Sequence, residues 1–144
     1  MSRFAAPIIA MLLLLAHGAA AQGFPKRELV IGSSGGPRHF TVEVATTDAQ
    51  RQRGLMFRQD MAPDAGMLFL YPSEREITMW MENTVLPLDM IFFAADGRII
   101  RIAERTVPFS TTVIYSEGPA RGVVEVNGGT AERLGIRVGD KVEY

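Results

Sequence analysis

The chain has 144 residues, of which 47% are hydrophobic and 22% charged, with a formal net charge of −1 and no cysteine. There is no basic excess to neutralise phosphates, so nucleic acid is not an expected partner. A chain without Cys has no thiol nucleophile, no disulfide staple and no thiolate metal centre.

Arg3, the apolar run over residues 8–15 and Ala19-Ala20-Ala21 have the form of a secretory leader, with cleavage expected after Ala21. The apolar run is shorter than the roughly 20 residues that span a bilayer. No Cys follows it to carry a lipid anchor. Residues 22–144 are therefore expected as one exported domain, periplasmic or secreted, without stable membrane insertion. That portion carries 14 Lys and Arg against 16 Asp and Glu, and His39 is its only histidine. It must hold its fold by apolar burial alone, which about 120 residues can do.

Residues 22–27 read as a frayed start, 28–31 as a first strand and Ser33-Ser34-Gly35-Gly36-Pro37 as a turn. Residues 39–45 alternate, with Phe40, Val42 and Val44 on one face. Thr47 with Gln50 predicts a capping box opening a short helix, and Gly54 a left-handed stop. Strands are then predicted over 67–71, 77–81, 88–94, 99–107, 112–116 and 122–127, with Asp96-Gly97 as a two-residue hairpin turn. Thr130 can cap a single helical turn to Leu134, and a tight loop feeds a terminal strand. Many short strands with one or two short helices make the fold mainly β, a compact β-sandwich or partly closed barrel.

Four segments carry a family pattern. These are the run from Trp80 to Phe93, Gly54-Leu55-Met56-Phe57-Arg58, Gly66-Met67-Leu68-Phe69 and Val124-Glu125-Val126-Asn127-Gly128-Gly129. Together they resemble the DUF192 family, a class defined by sequence whose biochemical role is unassigned. The resemblance spans residues 40–142 and implies the same mainly-β architecture. The chain departs from it at Met79, where Phe is frequent, and at Glu82, where a basic residue is common.

Candidate sites follow from polar residues in apolar surroundings. Asn83, Thr84 and Asp89 either hold a Pro87-stiffened turn, with Asp89 accepting backbone N–H donors, or form a pocket rim with Trp80 as its apolar wall. Glu125 is solvated if Val124 and Val126 face the core. If both sheet faces are covered, it is a carboxyl of raised pKa unless Arg53, Arg58 or Arg121 pairs with it. Asp89 and Glu125 could then act as acid and base on a glycosidic bond. Met79 and Met81 beside Trp80, with His39, could bind Cu(I), or the two Met can simply pack. Arg51, Arg53 and Arg58 are a solvated helix face or an anion site. Gly128-Gly129 is a turn or an anion nest.

No nucleophile elbow, HExxH helix or multi-His pattern is present, and no cofactor is expected. The leading expectation is a non-catalytic exported domain that binds a small molecule or a cell-envelope protein. Its site would comprise Trp80, Asn83, Thr84, Asp89, Arg53, Arg58 and Glu125. A carbohydrate-acting hydrolase and a periplasmic Cu(I)-binding protein are the alternatives.

Overall fold

The computed structural model describes residues 23–144; the predicted leader lies outside them. The elements run β1 (Lys26–Ser33), β2 (Gly36–Ala45), α1 (Asp48–Arg53), β3 (Ala65–Met79), β4 (Leu88–Phe93), β5 (Ile99–Ala103), β6 (Ile114–Asn127), α2 (Thr130–Leu134) and β7 (Lys141–Glu143).

The strands form one sheet of order β5-β4-β6-β3-β2-β1-β7. Its two ends approach each other: Ile99 N donates to Asp140 O at 2.8 Å, Val142 N to Gly97 O at 2.8 Å, and Arg98 bridges Lys141. The sheet is thus a curled half-barrel, the partly closed barrel of the two predicted alternatives. Side chains from all seven strands, among them Ile31, Phe40, Leu68, Phe93, Val124 and Val142, meet on the inner face. Met67, Phe69, Leu88, Met90, Phe92 and Val123 form a second core on the other face, covered by loops and by Leu55.

Local chemistry explains most element boundaries. The capping box of α1 is present, with Gln50 N donating to Thr47 Oγ1 and Thr47 N to Gln50 Oε1, both at 3.1 Å. Gly54 ends the helix at φ 46°, ψ −134°, a glycine conformation but not the left-handed helical one expected. Helix α1 carries the chain across so that β2 and β3 pair in parallel.

Four predicted strands fuse into two. Pro72 falls inside β3 and Glu117 inside β6, yet the β3–β6 ladder continues past both through register shifts between Leu70 and Arg75 and between Glu76 and Thr78. A bulge lets proline sit where no N–H is needed, so residues that read as turns are kinks in long arms. Strand β5 ends at Ala103, short of the predicted 107, and the β4–β5 hairpin turns through Ala95-Asp96-Gly97 with Ala94 N donating to Arg98 O at 2.9 Å. The extra turn residue is absorbed by a register shift after Phe92 and by Gly97 at φ 87°.

Candidate functional site

Strand register decides where the two candidate carboxylates point. In the β4–β6 ladder Met90 pairs with Glu125 and Asp89 with Val126. Directly paired residues share a face, so Glu125 lies on the outer core face and Asp89 on the inner one. The predicted acid–base pair is corrected: Asp89 and Glu125 are separated by the sheet, and no glycosidic bond can sit between them.

Asp89 is fully buried, and its carboxylate accepts three backbone hydrogen bonds. Arg105 N and Gly129 N donate to Oδ1 at 2.9 and 3.0 Å, and Ala131 N to Oδ2 at 2.9 Å. The start of α2 is therefore capped from β4, not by Thr130; the residue before the helix is Gly129, at φ 89°. Gly128-Gly129 is a turn whose free donor is already taken by Asp89. Asp89 belongs to the scaffold, the turn-and-backbone role that was one of its two sequence readings.

Glu125 is set between Met67 on β3 and Met90 on β4. It is only 3% exposed, and its carboxyl has no hydrogen-bond donor among the described residues. Burial alone pushes its pKa up to about 8, so the neutral acid predominates at pH 7. Valines 124 and 126 do face the inner core, as alternation predicts. Glu125 is nonetheless buried because loops cover the outer face as well.

Above Glu125 opens a pocket of about 250 Å³. Helix α1 and the loop after it supply Arg51, Arg53, Leu55 and Met56 as one wall. Strand β3 supplies Phe69, Tyr71 and Met79, and Trp80, Glu82 and Thr84 close the opposite side. Trp80 is 43% exposed, so it stands at the mouth with one face to solvent.

The rim is stitched by main-chain bonds between three loops. Phe57 N donates to Asn83 O at 2.9 Å, Phe109 N to Thr84 O at 3.1 Å and Met81 N to Ser110 O at 2.9 Å. Phe57, Asn83 and Phe109 all adopt positive φ, between 51° and 64°. Asn tolerates such a conformation locally, whereas for the two phenylalanines it is uncommon and is held by the surrounding structure. The Thr84 hydroxyl donates to Glu82 O at 3.0 Å, so part of the predicted side-chain turn chemistry is present as well.

The arginines differ sharply. Arg51 is drawn inward: Nη1 donates to Leu70 O at 2.7 Å and to Thr46 O, Nη2 pairs with Asp48, and the guanidinium lies 4.7 Å from the Tyr71 ring centroid. Burial raises the Tyr71 pKa above the ordinary phenol value, against the lowering pull of Arg51 and Arg75. Arg53 is exposed, stacks 5.2 Å over Phe57 and has no carboxylate partner among the described residues. Arg58 makes a two-pronged bond to Glu43, at 2.8 and 2.9 Å. It is thereby removed from the predicted ligand set.

Of the predicted ligand residues, Trp80, Thr84, Arg53 and Glu125 line the pocket, Asn83 sits beside it holding the rim, and Asp89 and Arg58 are elsewhere. Arg51, Leu55, Met56 and Tyr71 were not in that set. Their spacing gives no signal, because a parallel β2-α1-β3 crossover brings them over Glu125. The copper set is not assembled. Met81 is buried with its sulfur accepting from the Thr106 hydroxyl at 3.1 Å. His39 precedes Thr41, which pairs with the first residue of β3, whereas Met79 is the last. Among the described residues no group of His, Asp and Glu is arranged to hold a metal ion.

Residues 30–144 match the DUF192 family, described as "Uncharacterized ACR", and the chain belongs to that family. It is similar to a protein of Sinorhizobium meliloti 1021 described as a proposed transcription regulator, with 45% identity, 84% of this chain and 95% of that one covered, and a TM-score of 0.82. It is also similar to a protein of unknown function from Novosphingobium aromaticivorans DSM 12444, with 41% identity, 87% and 89% covered, and a TM-score of 0.84. No functionally curated protein matches the chain.

Proposed function

We propose that this chain is a non-catalytic, exported domain that binds a small ligand in the pocket above Glu125. One observation carries the reading: a buried carboxyl that accepts no hydrogen bond from the described residues lies at the floor of a cavity whose walls mix Leu55, Met56, Phe69 and Met79 with polar side chains, under a braced rim. A carboxyl at the floor of a cleft presents its hydrogen-bonding atoms to whatever enters, and convergent polar groups of this kind are what orient a ligand. The other ionisable groups lend themselves to binding more than to turnover. Arg51 has three of its five donors committed to its own contacts, burial favours the protonated Tyr71 phenol, and Arg53 and Glu82 stand at the edge.

Thermal unfolding of the protein across a panel of envelope sugars, organic anions, amides, amines and lipids tests this, with Trp80→Ala alongside. A ligand that binds only the native state adds about 2.7 kcal/mol at 100 times its Kd. The reading expects at least one stabilising compound whose effect is lost in Trp80→Ala. A panel that shifts nothing, or shifts both proteins equally, contradicts it.

The exported setting rests on the basic start, apolar run and small-residue triplet of the first 21 residues. Protein recovered from its host should begin at Gln22. An intact amino terminus would remove the exported part of the reading and leave the pocket untouched.

A further inference from the structure

The class of ligand can be narrowed from the chemistry of the pocket floor and rim. Glu125 is flanked by Met67 and Met90 in the sheet, with Phe69 and Leu55 above. As a neutral acid it offers one O–H donor and one carbonyl acceptor side by side, neither bonded by another of the described residues.

A cation is a poor match. It would need Glu125 ionised in an apolar setting, and it would approach past Arg53 and Arg51, while Asp48 is already paired with Arg51. An anion is also a poor match at the floor, since Arg51 commits three of its five donors to Thr46 O, Leu70 O and Asp48, and Asp48 already offsets its charge. What complements the floor is an uncharged edge with a donor and an acceptor adjacent to each other.

Resting on the pocket reading above, we propose that the ligand is a small uncharged molecule carrying a lactam or amide edge. The edge pairs with the Glu125 carboxyl through two hydrogen bonds, N–H to the carbonyl oxygen and C=O from the hydroxyl. The body of the ligand lies against Met56, Met79 and the indole of Trp80. A cavity of about 250 Å³ suits one ring with short substituents. The pairing needs the acid form, so occupancy falls as Glu125 ionises. The charged and titratable groups facing it are Asp48, Arg51 and Arg53 from α1, Tyr71 with Arg75 behind it from β3, and Glu82 from the rim.

The experiment uses protein labelled with ¹³C at the methionine methyls, where Met56 and Met79 report on the pocket and Met61 lies outside its lining. δ-Valerolactam and cyclohexylamine are titrated at pH 6.5 and 9.5 into wild type and Glu125→Gln. The inference expects the lactam to shift Met56 and Met79 but not Met61 at pH 6.5, and to bind about 30-fold more weakly at pH 9.5. Glu125→Gln keeps a donor beside an acceptor and should bind the lactam equally at both pH values. If the amine binds instead, more tightly at pH 9.5 and only to wild type, the pocket reading stands and the ligand class is overturned. If neither probe moves Met56 or Met79, the inference is overturned, and the thermal panel decides the pocket reading separately.

Discussion

Asp89 and Glu125 sit on neighbouring strands with their carboxyl groups on opposite faces of one sheet, Asp89 opposite Val126 and Met90 opposite Glu125. A one-residue offset in register gives two buried acids contrary roles. Asp89 ties β4 to α2 through three N–H donors, while Glu125 lies under a pocket with no hydrogen-bond partner among the described residues.

Removing the Asp89 carboxylate strands three backbone donors at the start of α2 and at Arg105. Asp89→Ala should lower stability by about 3 kcal/mol or more, and Asp89→Asn by about 2 kcal/mol, since the amide nitrogen would meet a donor. Urea unfolding at pH 7 measures both. Loss of pocket binding without loss of stability would show that Asp89 serves the ligand instead.

Glu125 makes stability depend on pH. Its folded pKa is raised from 4.5 to about 8, so between those values the folded state holds a proton that the unfolded state has lost. Stability contributed by the neutral form is full below pH 4.5, declines as pH rises to about 8, and is flat beyond. The loss is on the order of 5 kcal/mol. Glu125→Gln should abolish this slope, and urea midpoints at pH 5, 7 and 9 for the two proteins give the comparison.

Arg51 and Arg53 are two residues apart on α1, and their substitutions should differ. The Arg51 side chain is 11% exposed and bonds two carbonyls and Asp48, so Arg51→Ala should cost about 2 kcal/mol and loosen the pocket wall. Arg53→Ala should stay within about 0.5 kcal/mol of wild type. Parallel urea melts decide this, and equal losses would refute the distinction.

Close packing between β3, β6 and β4 leaves no room at Gly122. A Cβ there would lie 2.5 Å from the Phe69 carbonyl oxygen and 2.5 Å from the Phe93 ring. Gly122→Ala should destabilise by about 3 kcal/mol through forced movement of the β3–β6 ladder. A melting temperature equal to wild type would contradict that.

The sequence carried the elements well where the signal was local. Thr47 and Gln50 set the start of α1, alternation set β2, and Gly97 placed a hairpin, although one residue longer than expected. The breaks expected between residues 71 and 77 and between 116 and 122 are irregularities within long strands, because residues such as Pro72 mark a bulge as readily as a turn, and only the partner strand distinguishes them. The site was half legible. Trp80, Thr84, Arg53 and Glu125 stood out as polar or aromatic residues near apolar runs, whereas Arg58 was lost to Glu43, a partner 15 residues away on β2. Whether Glu125 is solvated or buried depends on what covers the outer face, and that is fixed by tertiary contacts of α1 and the rim loops.

The account turns on the pocket floor being an uncharged carboxyl available to a ligand. Carbon-13 NMR of the Glu125 side-chain carboxyl, followed from pH 4 to pH 10 and assigned by its absence in Glu125→Gln, measures that state directly. One transition centred near pH 8 is expected. A transition near the ordinary glutamate value would mean a charged, hydrated floor, and would contradict it.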